Sequence, residues 1–415
     1  MNQADDRPRP LPRVLADALR PVQAFFRTES ASGVLLIGAT VAAFLWANSP
    51  FAHAYHDLLG QTLSVGALDH ALSWPLHHWI NDGLMTVFFF VVGMEIKREL
   101  VVGELNTVRR AVLPAVAAAG GMLVPAALYL AFNASGPGQA GWGVPVATDI
   151  AFALGCLAVL KGRVPTSLVV FLTALAIFDD LGAILVIALF YGQSVQPVYL
   201  LAAGAVTLAL LALNRLGVSR GWPYLLLGIP LWLCVLGSGI HATLAGVVLG
   251  LCIPARGPSA GERAPTGERT TIDRLEGALH PFVAFFVVPV FALANAGVDL
   301  TGLAVSGLAH PVPLGIALGL FAGKQVGIFL ATLAAVKLGL SPMPAGASWR
   351  QVHGVAVLGG IGFTMSLFVG ALAFQSAPAL LTESKLGILL GSAASAAAGL
   401  LLLRTARKDA KPEAG

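Results

Sequence analysis

The sequence predicts an all-α membrane protein with twelve transmembrane helices. Of its 415 residues, 57% are hydrophobic and only 11% are charged, whereas about a quarter of the residues are charged in an ordinary soluble protein. The mean hydropathy is +0.81. Apolar runs long enough to cross a bilayer occur along the sequence, and Lys and Arg are concentrated in alternate connections between them. These observations exclude a soluble globular fold.

The predicted spans are apolar runs of about 17–25 residues that end where Gly, Pro or charged residues interrupt them. In chain order they cover residues 31–48, 76–96, 111–133, 143–160, 166–191, 197–213, 222–237, 239–254, 278–297, 312–336, 352–374 and 385–403. Between the first two spans, segment 49–75 contains turn residues and short apolar stretches, which predict a small hairpin.

The positions of Lys and Arg predict the side of the membrane on which each connection lies. If the N-terminal tail is cytoplasmic, every second connection is cytoplasmic as well. The basic residues of the tails and of these connections are Arg7, Arg9, Arg13, Arg20, Arg27, Lys97, Arg98, Arg109, Arg110, Lys161, Arg163, Arg215, Arg220, Arg256, Arg263, Arg269, Arg274, Lys337, Arg350, Arg404, Arg407, Lys408 and Lys411. Only Lys324, inside a span, and Lys385, at the far surface, lie elsewhere. The positive-inside rule therefore places both termini in the cytoplasm, and the basic pI requires no nucleic-acid partner.

The sequence predicts one membrane domain, 31–404, between cytoplasmic tails at 1–30 and 405–415. The first tail lacks an apolar core followed by a small-residue cleavage site, so we expect no cleaved signal peptide. The polar segment 255–277 is predicted to be a cytoplasmic linker that divides eight spans from four.

Three acids and one base inside the predicted spans occupy apolar surroundings. Asp149 lies in the fourth span, Asp179 and Asp180 in the fifth, and Lys324 in the tenth. Each such charge costs about 2.5–3.5 kcal/mol on insertion scales, so the four together cost about 10–14 kcal/mol. We therefore expect them to converge and to compensate one another. A purely structural hydrogen-bonding role is the alternative, but intramembrane acids usually mark ion or proton routes.

The fourth and eleventh spans are expected to be discontinuous helices. The fourth contains Gly and Pro before the pair Thr148–Asp149, and the eleventh contains a glycine run at 359–362. Each is the second member of a three-span unit, 111–191 (spans 3–5) or 312–403 (spans 10–12). The odd offset between these units predicts an inverted repeat. Two unrelated, tightly packed helices are the alternative, because small residues are common in membrane bundles.

Broken helices would expose helix termini in the membrane interior. Asp149 is expected to neutralise the N-termini and Lys324 the C-termini. The carboxylates of Asp180 and Asp179 and the Thr148 hydroxyl then remain as hard oxygen ligands for a small cation such as Na⁺ or Li⁺. Burial and pairing shift the pKa values of such groups in opposing senses, so they can exchange protons near neutral pH. Competition between proton and cation predicts antiport, with neither a cofactor nor enzymatic activity.

Two other functional classes share some of these features. An intramembrane aspartyl protease also uses acids that share a proton, but this function leaves Lys324 and the adjacent pair Asp179–Asp180 unexplained. A passive cation channel would use acidic rings and a continuous pore, usually built by several subunits.

Seven sequence motifs point to a known family. They are WINDGLMTVFFFVVGMEIKREL (79–100), ATDIAFALG (147–155), ALAIFDDLGAI (174–184), SGIHATLAGV (238–247), FALANAGV (291–298), GKQVGI (323–328) and GIGFTMSLF (360–368). Through them the chain resembles the NhaA-type bacterial sodium/proton antiporters over nearly its whole length. The resemblance implies that Asp180 is the principal cation ligand, that Asp179 is a second acid paired with Lys324, and that Thr148 lies beside the cation.

The resemblance also implies a physiological role. The chain would work by alternating access in the bacterial inner membrane and exchange about two imported protons for one exported Na⁺ or Li⁺. It would serve salt tolerance and pH homeostasis. A homodimer would form partly through the hairpin in 49–75.

Regulation by pH is a further implication of the resemblance. The implied positions at the cytoplasmic side are Glu95, Arg98, Glu99, His241 and Glu276, with Asp82 as a further functional acid. From the residues alone, His241 fits a packed, hydrogen-bonded histidine, and the charges at 95–99 fit ordinary interfacial ion pairs.

The sequence departs from close family members at two positions. Gly277 stands where close family members can carry a histidine. This difference weakens the inference that the chain responds at the same pH as those members. Gln325 stands where some members have proline, which could change how the tenth helix bends.

Overall fold

The computed structural model of the chain describes residues 31–66, 71–103, 105–160, 162–192, 194–255, 270–299, 307 and 309–406. The predicted tail 1–30, most of the linker 255–277 and all but the first two residues of the tail 405–415 lie outside these described residues.

The described chain is almost entirely helical. Helices α1 (Ala31–Ala47) and α2 (Ala52–Gly60) precede an antiparallel hairpin of β1 (Thr62–Val65) and β2 (Leu72–Pro75). The following helices are α3 (Leu76–Val101), α4 (Val108–Phe132), a 3₁₀ helix (Pro137–Val146), α5 (Ile150–Val159), α6 (Thr166–Phe190), α7 (Pro197–Arg215), α8 (Trp222–Gly237), α9 (Leu244–Cys252), α10 (Thr271–Asn295), α11 (Pro311–Lys337), α12 (Trp349–Leu358), α13 (Phe363–Ala373) and α14 (Pro378–Thr405).

Seven of these helices are long and apolar enough to cross a membrane, namely α3, α4, α6, α7, α10, α11 and α14. Three further spans are obtained if each bent helix pair counts as one span. The bends are 111° between α1 and α2, 44° between the 3₁₀ helix and α5, and 43° between α12 and α13. Among the described residues, α8 has 16 residues and α9 has 9. The all-helical membrane class is confirmed, while twelve spans and the inverted repeat stay predictions.

The predicted hairpin in 49–75 is confirmed. Its two strands pair with Thr62 opposite Pro75 and Val65 opposite Leu72. The side chains of Ser64 and Ser73 hydrogen-bond across the strands at 2.7 Å. All four residues of β1 are exposed in the monomer.

The prediction of an extended linker up to residue 277 is wrong at its C-terminal end. Helix α10 begins at Thr271, and the Thr270 hydroxyl accepts a hydrogen bond from the Asp273 amide at 3.3 Å. The Asp273 carboxylate accepts in turn from the Thr270 amide at 3.0 Å. This capping box satisfies amides at the helix start, and its pattern of threonine followed three residues later by aspartate was readable in the sequence.

The predicted eighth span also begins later than expected. Helix α9 starts at Leu244, and the residues before it form a turn in which Gly239 has a φ of +82°. A residue with a side chain rarely adopts this conformation, so the glycine ends the α8 segment and delays the next helix.

Helices α4 and α11 cross closely beside the centre of the molecule. A Cβ atom built on Gly120 would lie 2.4 Å from the carbonyl oxygen of Gly327, and one on Gly327 would lie 2.1 Å from the oxygen of Gly120. Only glycine permits this approach, which brings Lys324 toward the interior. Within α11, residues Gly319–Gly323 form a π-helical turn just before Lys324.

Candidate ion-binding site

The two interrupted helices meet at their breaks. The first interruption, residues 147–149, separates the 3₁₀ helix from α5, and the second, residues 359–362, separates α12 from α13. The Asp149 amide donates a hydrogen bond to the Ile361 carbonyl at 2.6 Å. Nearly every residue from 351 to 370 is buried. The predicted discontinuities in the fourth and eleventh spans are therefore confirmed, and they contact each other in the core.

Asp149 lies at the start of two helices. Its Oδ1 atom accepts from the Phe152 amide of α5 at 3.0 Å, and its Oδ2 atom accepts from the Thr364 amide of α13 at 3.1 Å. The Thr364 hydroxyl also donates to Oδ2, at 2.5 Å. Helix N-termini carry partial positive charge and unsatisfied amides. One buried carboxylate therefore stabilises both half-helices.

Asp179 and Lys324 form an ion pair in the interior. Both side chains are 0% exposed, and the Lys324 ammonium donates to Oδ2 of Asp179. It also donates to the Thr148 hydroxyl at 2.8 Å. Thr148 contacts the same Asp179 oxygen at 2.6 Å and the Gly359 carbonyl, at the end of α12, at 2.7 Å. Lys324 thus reaches the C-terminal end of α12 through Thr148.

Asp180 differs from its neighbour. It is 4% exposed, and its Oδ1 atom is buried with no hydrogen-bond partner in the described part of the chain. The same is true of Oδ1 of Asp179. Among the described residues, no hydrogen bond joins Asp180 to Thr148 or Lys324. The expected convergence thus holds for Asp179, Lys324 and Thr148, while Asp180 is adjacent on α6 with its Oδ1 atom unpartnered in the described part of the chain.

A cavity of about 110 Å³ approaches Asp180 from the end of α3 that carries Lys97 and Arg98, called here the basic end. It is lined by Glu95, Arg98 and Glu99 and by Ile150 and Ile177. Ile177 precedes Asp180 by three residues, about 4.5 Å along one face of α6. The cavity therefore stops about one helical turn short of the acid.

A second cavity, of about 440 Å³, lies at the opposite end of α3, called here the hairpin end. Asp82 lies in its wall, with the Nε2 atoms of His78 and His241 at 3.0 and 3.3 Å from its two carboxylate oxygens. Phe368 of α13 also lines this cavity, and its ring packs against Phe89 with 5.2 Å between the ring centres. None of the four charged residues of the site lines either cavity.

The positions implied in pH sensing do not form one group. Glu276, on α10, accepts from the Arg98 guanidinium, and Glu99 lies 3.4 Å from the same guanidinium. Glu95 lies beside them, with His280 at 3.8 Å. His241 is not at this end, so its implied grouping with them is wrong. Its Nε2 atom lies 3.3 Å from Oδ1 of Asp82, and its Nδ1 atom shares a hydrogen bond with the Thr243 hydroxyl at 2.8 Å. These contacts fit a packed, hydrogen-bonded histidine.

The structural reason for this correction is the length of α3. Asp82 and Glu95 are thirteen residues apart on this helix, which corresponds to about 20 Å. A residue that contacts one cannot contact the other. At Gly277, the first departure from the family, an added Cβ atom would meet no atom within 4 Å.

Sequence reasoning missed two partners of the acids. His78 precedes Asp82 by four residues, so their contact was readable from helical spacing. Thr364 holds Asp149 through both its amide and its hydroxyl. Its role follows from the meeting of the two breaks, which no local pattern encodes.

Comparison with known proteins shows which family the sequence matches. The sequence model of the Na⁺/H⁺ antiporter 1 family matches residues 23–403. The Na⁺/H⁺ antiporter NhaA 1 of Myxococcus xanthus is 51% identical over 99% of this chain and 98% of its own length. The Na⁺/H⁺ antiporter NhaA of Rhodospirillum rubrum is 52% identical over 95% of this chain and 100% of its own length. The Na⁺/H⁺ antiporter NhaA of Bordetella parapertussis is 55% identical over 92% of this chain and 96% of its own length. The chain belongs to the Na⁺/H⁺ antiporter 1 family.

Proposed function

We propose that this protein is an electrogenic Na⁺/H⁺ antiporter that also carries Li⁺. It exports one cation in exchange for about two imported protons, as the family resemblance implies, and it is not an enzyme. It resides in the bacterial inner membrane with both termini in the cytoplasm. The observation that carries the proposal is the buried Asp179–Lys324 pair beside Asp180 at the contact between two interrupted helices.

The charge balance of the interior supports cation binding. Asp149 is stabilised by two helix starts, and Asp179 is paired with Lys324. Asp180 has no comparable partner among the described residues. A bare carboxylate is strongly disfavoured in such an environment. Asp180 therefore carries either a proton or a cation, and the two are mutually exclusive.

The hydroxyl of Thr148 supports a second proton-carrying group. It contacts Lys324, Asp179 and the Gly359 carbonyl. A threonine hydroxyl has one hydrogen to donate, and a carbonyl can only accept. When the hydroxyl donates to Gly359, the contact with Asp179 requires a proton on that carboxyl group. Asp179 and Lys324 together can therefore hold and release a proton as a coupled pair.

Competition at this site produces exchange if only loaded states change sides. A ligand shifts a conformational equilibrium only through its different affinity for the two states. The site lies between a cavity at the basic end and one at the hairpin end, an arrangement suited to alternating access. Cation release at one side and proton release at the other then complete the cycle.

The test is Asp180→Asn in purified protein reconstituted into vesicles. Addition of Na⁺ should move protons in the wild type and should move none in this variant, because the amide cannot exchange a proton or supply a charged ligand. Asp57→Asn, which changes an exposed acid of α2, is the matched control and should retain exchange.

Three outcomes would contradict the proposal. Normal turnover in Asp180→Asn would exclude the assigned ligand. Dissipation of an imposed potential without obligatory exchange would indicate a channel. Cleavage of membrane peptides without ion flux would indicate a protease.

We also propose regulation by pH and a homodimer. Arg98, Glu95 and Glu99 line the basic-end cavity, and Glu276 contacts Arg98. A change of protonation in this group alters the electrostatic field at the cavity. The exposed strand β1 offers unpaired backbone groups that a second copy can pair with. In cells, the antiport would support salt tolerance and pH homeostasis.

A further inference from the structure

The residue after Lys324 connects α11 to the first half of the interrupted helix. The Gln325 side chain donates through Nε2 to the Phe321 carbonyl at 2.8 Å. Its Oε1 atom lies 3.2 Å from Nε2 of His353 on α12. Phe321 belongs to the π-helical turn Gly319–Gly323. One amide therefore bridges this turn and α12.

The direction of both hydrogen bonds follows from the atoms involved. The Phe321 carbonyl can only accept, so the amide nitrogen of Gln325 must face it. The amide oxygen then faces His353 and can only accept, so Nε2 of His353 carries a hydrogen. This is true of one neutral tautomer and of the protonated ring alike. The bridge therefore persists in both protonation states of His353.

The surroundings fix His353 in this position. Its ring lies 5.1 Å from the ring of Phe329, which packs in turn against Trp349 at 6.0 Å. Gln325 and His353 are both partly buried in a helix bundle of the membrane class. Lipid offers no replacement donors or acceptors, so loss of one partner leaves the other unsatisfied.

The bridge acts close to the proposed site. α12 contacts the Lys324 region at two points, through His353 and Gln325 and, six residues later, through Gly359 and Thr148. We propose that Gln325 and His353 are positioning residues, which hold the α11 turn against α12 and thereby set the position of Lys324 relative to Asp179. This inference rests on the proposed antiport.

The test compares four variants in reconstituted vesicles. Gln325→Leu and His353→Leu each remove the hydrogen bond, and the double variant removes both partners. His353→Gln supplies an amide donor in place of the ring. For each, the Na⁺ concentration and the pH that give half-maximal exchange are measured.

The expected result is a characteristic pattern. Each Leu variant should change the half-maximal Na⁺ or proton concentration by about three- to tenfold, the range of one net hydrogen bond. The double variant should match the single ones, because they remove the same interaction. His353→Gln should restore most of the wild-type pH profile.

Several outcomes would overturn the inference while leaving the antiport proposal intact. Unchanged pH and Na⁺ dependence in both Leu variants, or strictly additive effects in the double variant, would show that the bridge does not position Lys324. Failure of His353→Gln to differ from His353→Leu would assign the effect to packing. Absence of Na⁺-driven proton flux in the wild type would remove the basis of both proposals.

Discussion

At the scale of single residues, Asp149 links two helices that are distant in sequence. Its carboxylate accepts hydrogen bonds from backbone amides at the start of α5 and at the start of α13. The residue is only 2% exposed to solvent. A capping side chain contributes about 0.5–2 kcal/mol at one helix, and here one group serves two. This dual contact gives Asp149 a role in stability besides its proposed role in ion transport.

Asp149→Ala should therefore lower stability more than removal of an ordinary cap. We expect a loss of about 1–4 kcal/mol, the sum of two capping contributions, seen as a lower Tm in detergent. Thr364→Val is the control, because it removes the hydroxyl contact and retains the backbone amide; its Tm should fall less. Equal Tm values for wild type and Asp149→Ala would refute the double capping role.

At the scale of elements, the interruption of α12–α13 depends on close backbone approach. A Cβ atom on Gly360 would lie 2.3 Å from the Leu320 carbonyl and 2.5 Å from the Ser395 hydroxyl oxygen. The first neighbour is the backbone of the π-helical turn in α11, which cannot rotate away. The glycine run thus brings the break against the turn that precedes Lys324.

Gly360→Ala is accordingly expected to displace the break and to reduce exchange by at least about fivefold, since overpacking a buried site typically costs about 1–3 kcal/mol. Gly370→Ala, on the same interrupted pair, is the matched control. Its Cβ would lie 3.3 Å from the Ser384 hydroxyl oxygen, a slightly tight contact with a side chain, and 3.6 Å from Ile388. The exchange rate should fall in Gly360→Ala and stay close to the wild-type rate in Gly370→Ala. A wild-type rate in Gly360→Ala would show that the close approach is dispensable.

The elements also show where sequence reasoning succeeds. The Thr148–Asp149 pair and the glycines at 359–362 predicted both breaks, because a charge and a glycine run are local signals. The implied grouping of His241 with Glu95 failed, because it came from the resemblance alone; the predicted spans already put residue 241 at the non-cytoplasmic start of the eighth span, and the structure places it against Asp82. The contact between Asp149 and Thr364 could not be predicted, since it arises only when two distant breaks meet.

At the scale of the whole molecule, the charged site is enclosed between two cavities at opposite ends of α3. The cost of isolated charges in lipid predicted that Lys324 pairs with one of the two adjacent acids, and the resemblance implied that this acid is Asp179. The basic-end cavity is lined by residues of α5 and α6, and the hairpin-end cavity by residues of α13. The proposed exchange site is thus buried, with a separate cavity at each end of α3.

This enclosed arrangement leads to a prediction about membrane potential. If the proposed exchange of about two protons for one Na⁺ holds, each cycle moves one net positive charge inward. A potential of 100 mV, negative inside, contributes about 2.3 kcal/mol per charge, which corresponds to an approximately 50-fold Na⁺ gradient at equal pH.

The measurement uses vesicles in which a K⁺ gradient and a K⁺ ionophore impose the potential, with the protein oriented uniformly and pH held equal on both sides. Na⁺ should be driven out of the negative interior until the gradient approaches this ratio, and the ratio should rise about tenfold for each further 59 mV. Vesicles with Asp180→Asn provide the control. In them Na⁺ should move only by passive leak, so the Na⁺ distribution should equal that of vesicles without protein. A Na⁺ distribution that does not respond to potential in the wild type would mean one proton per cation, and the Asp179–Lys324 pair would then not contribute a second transported proton.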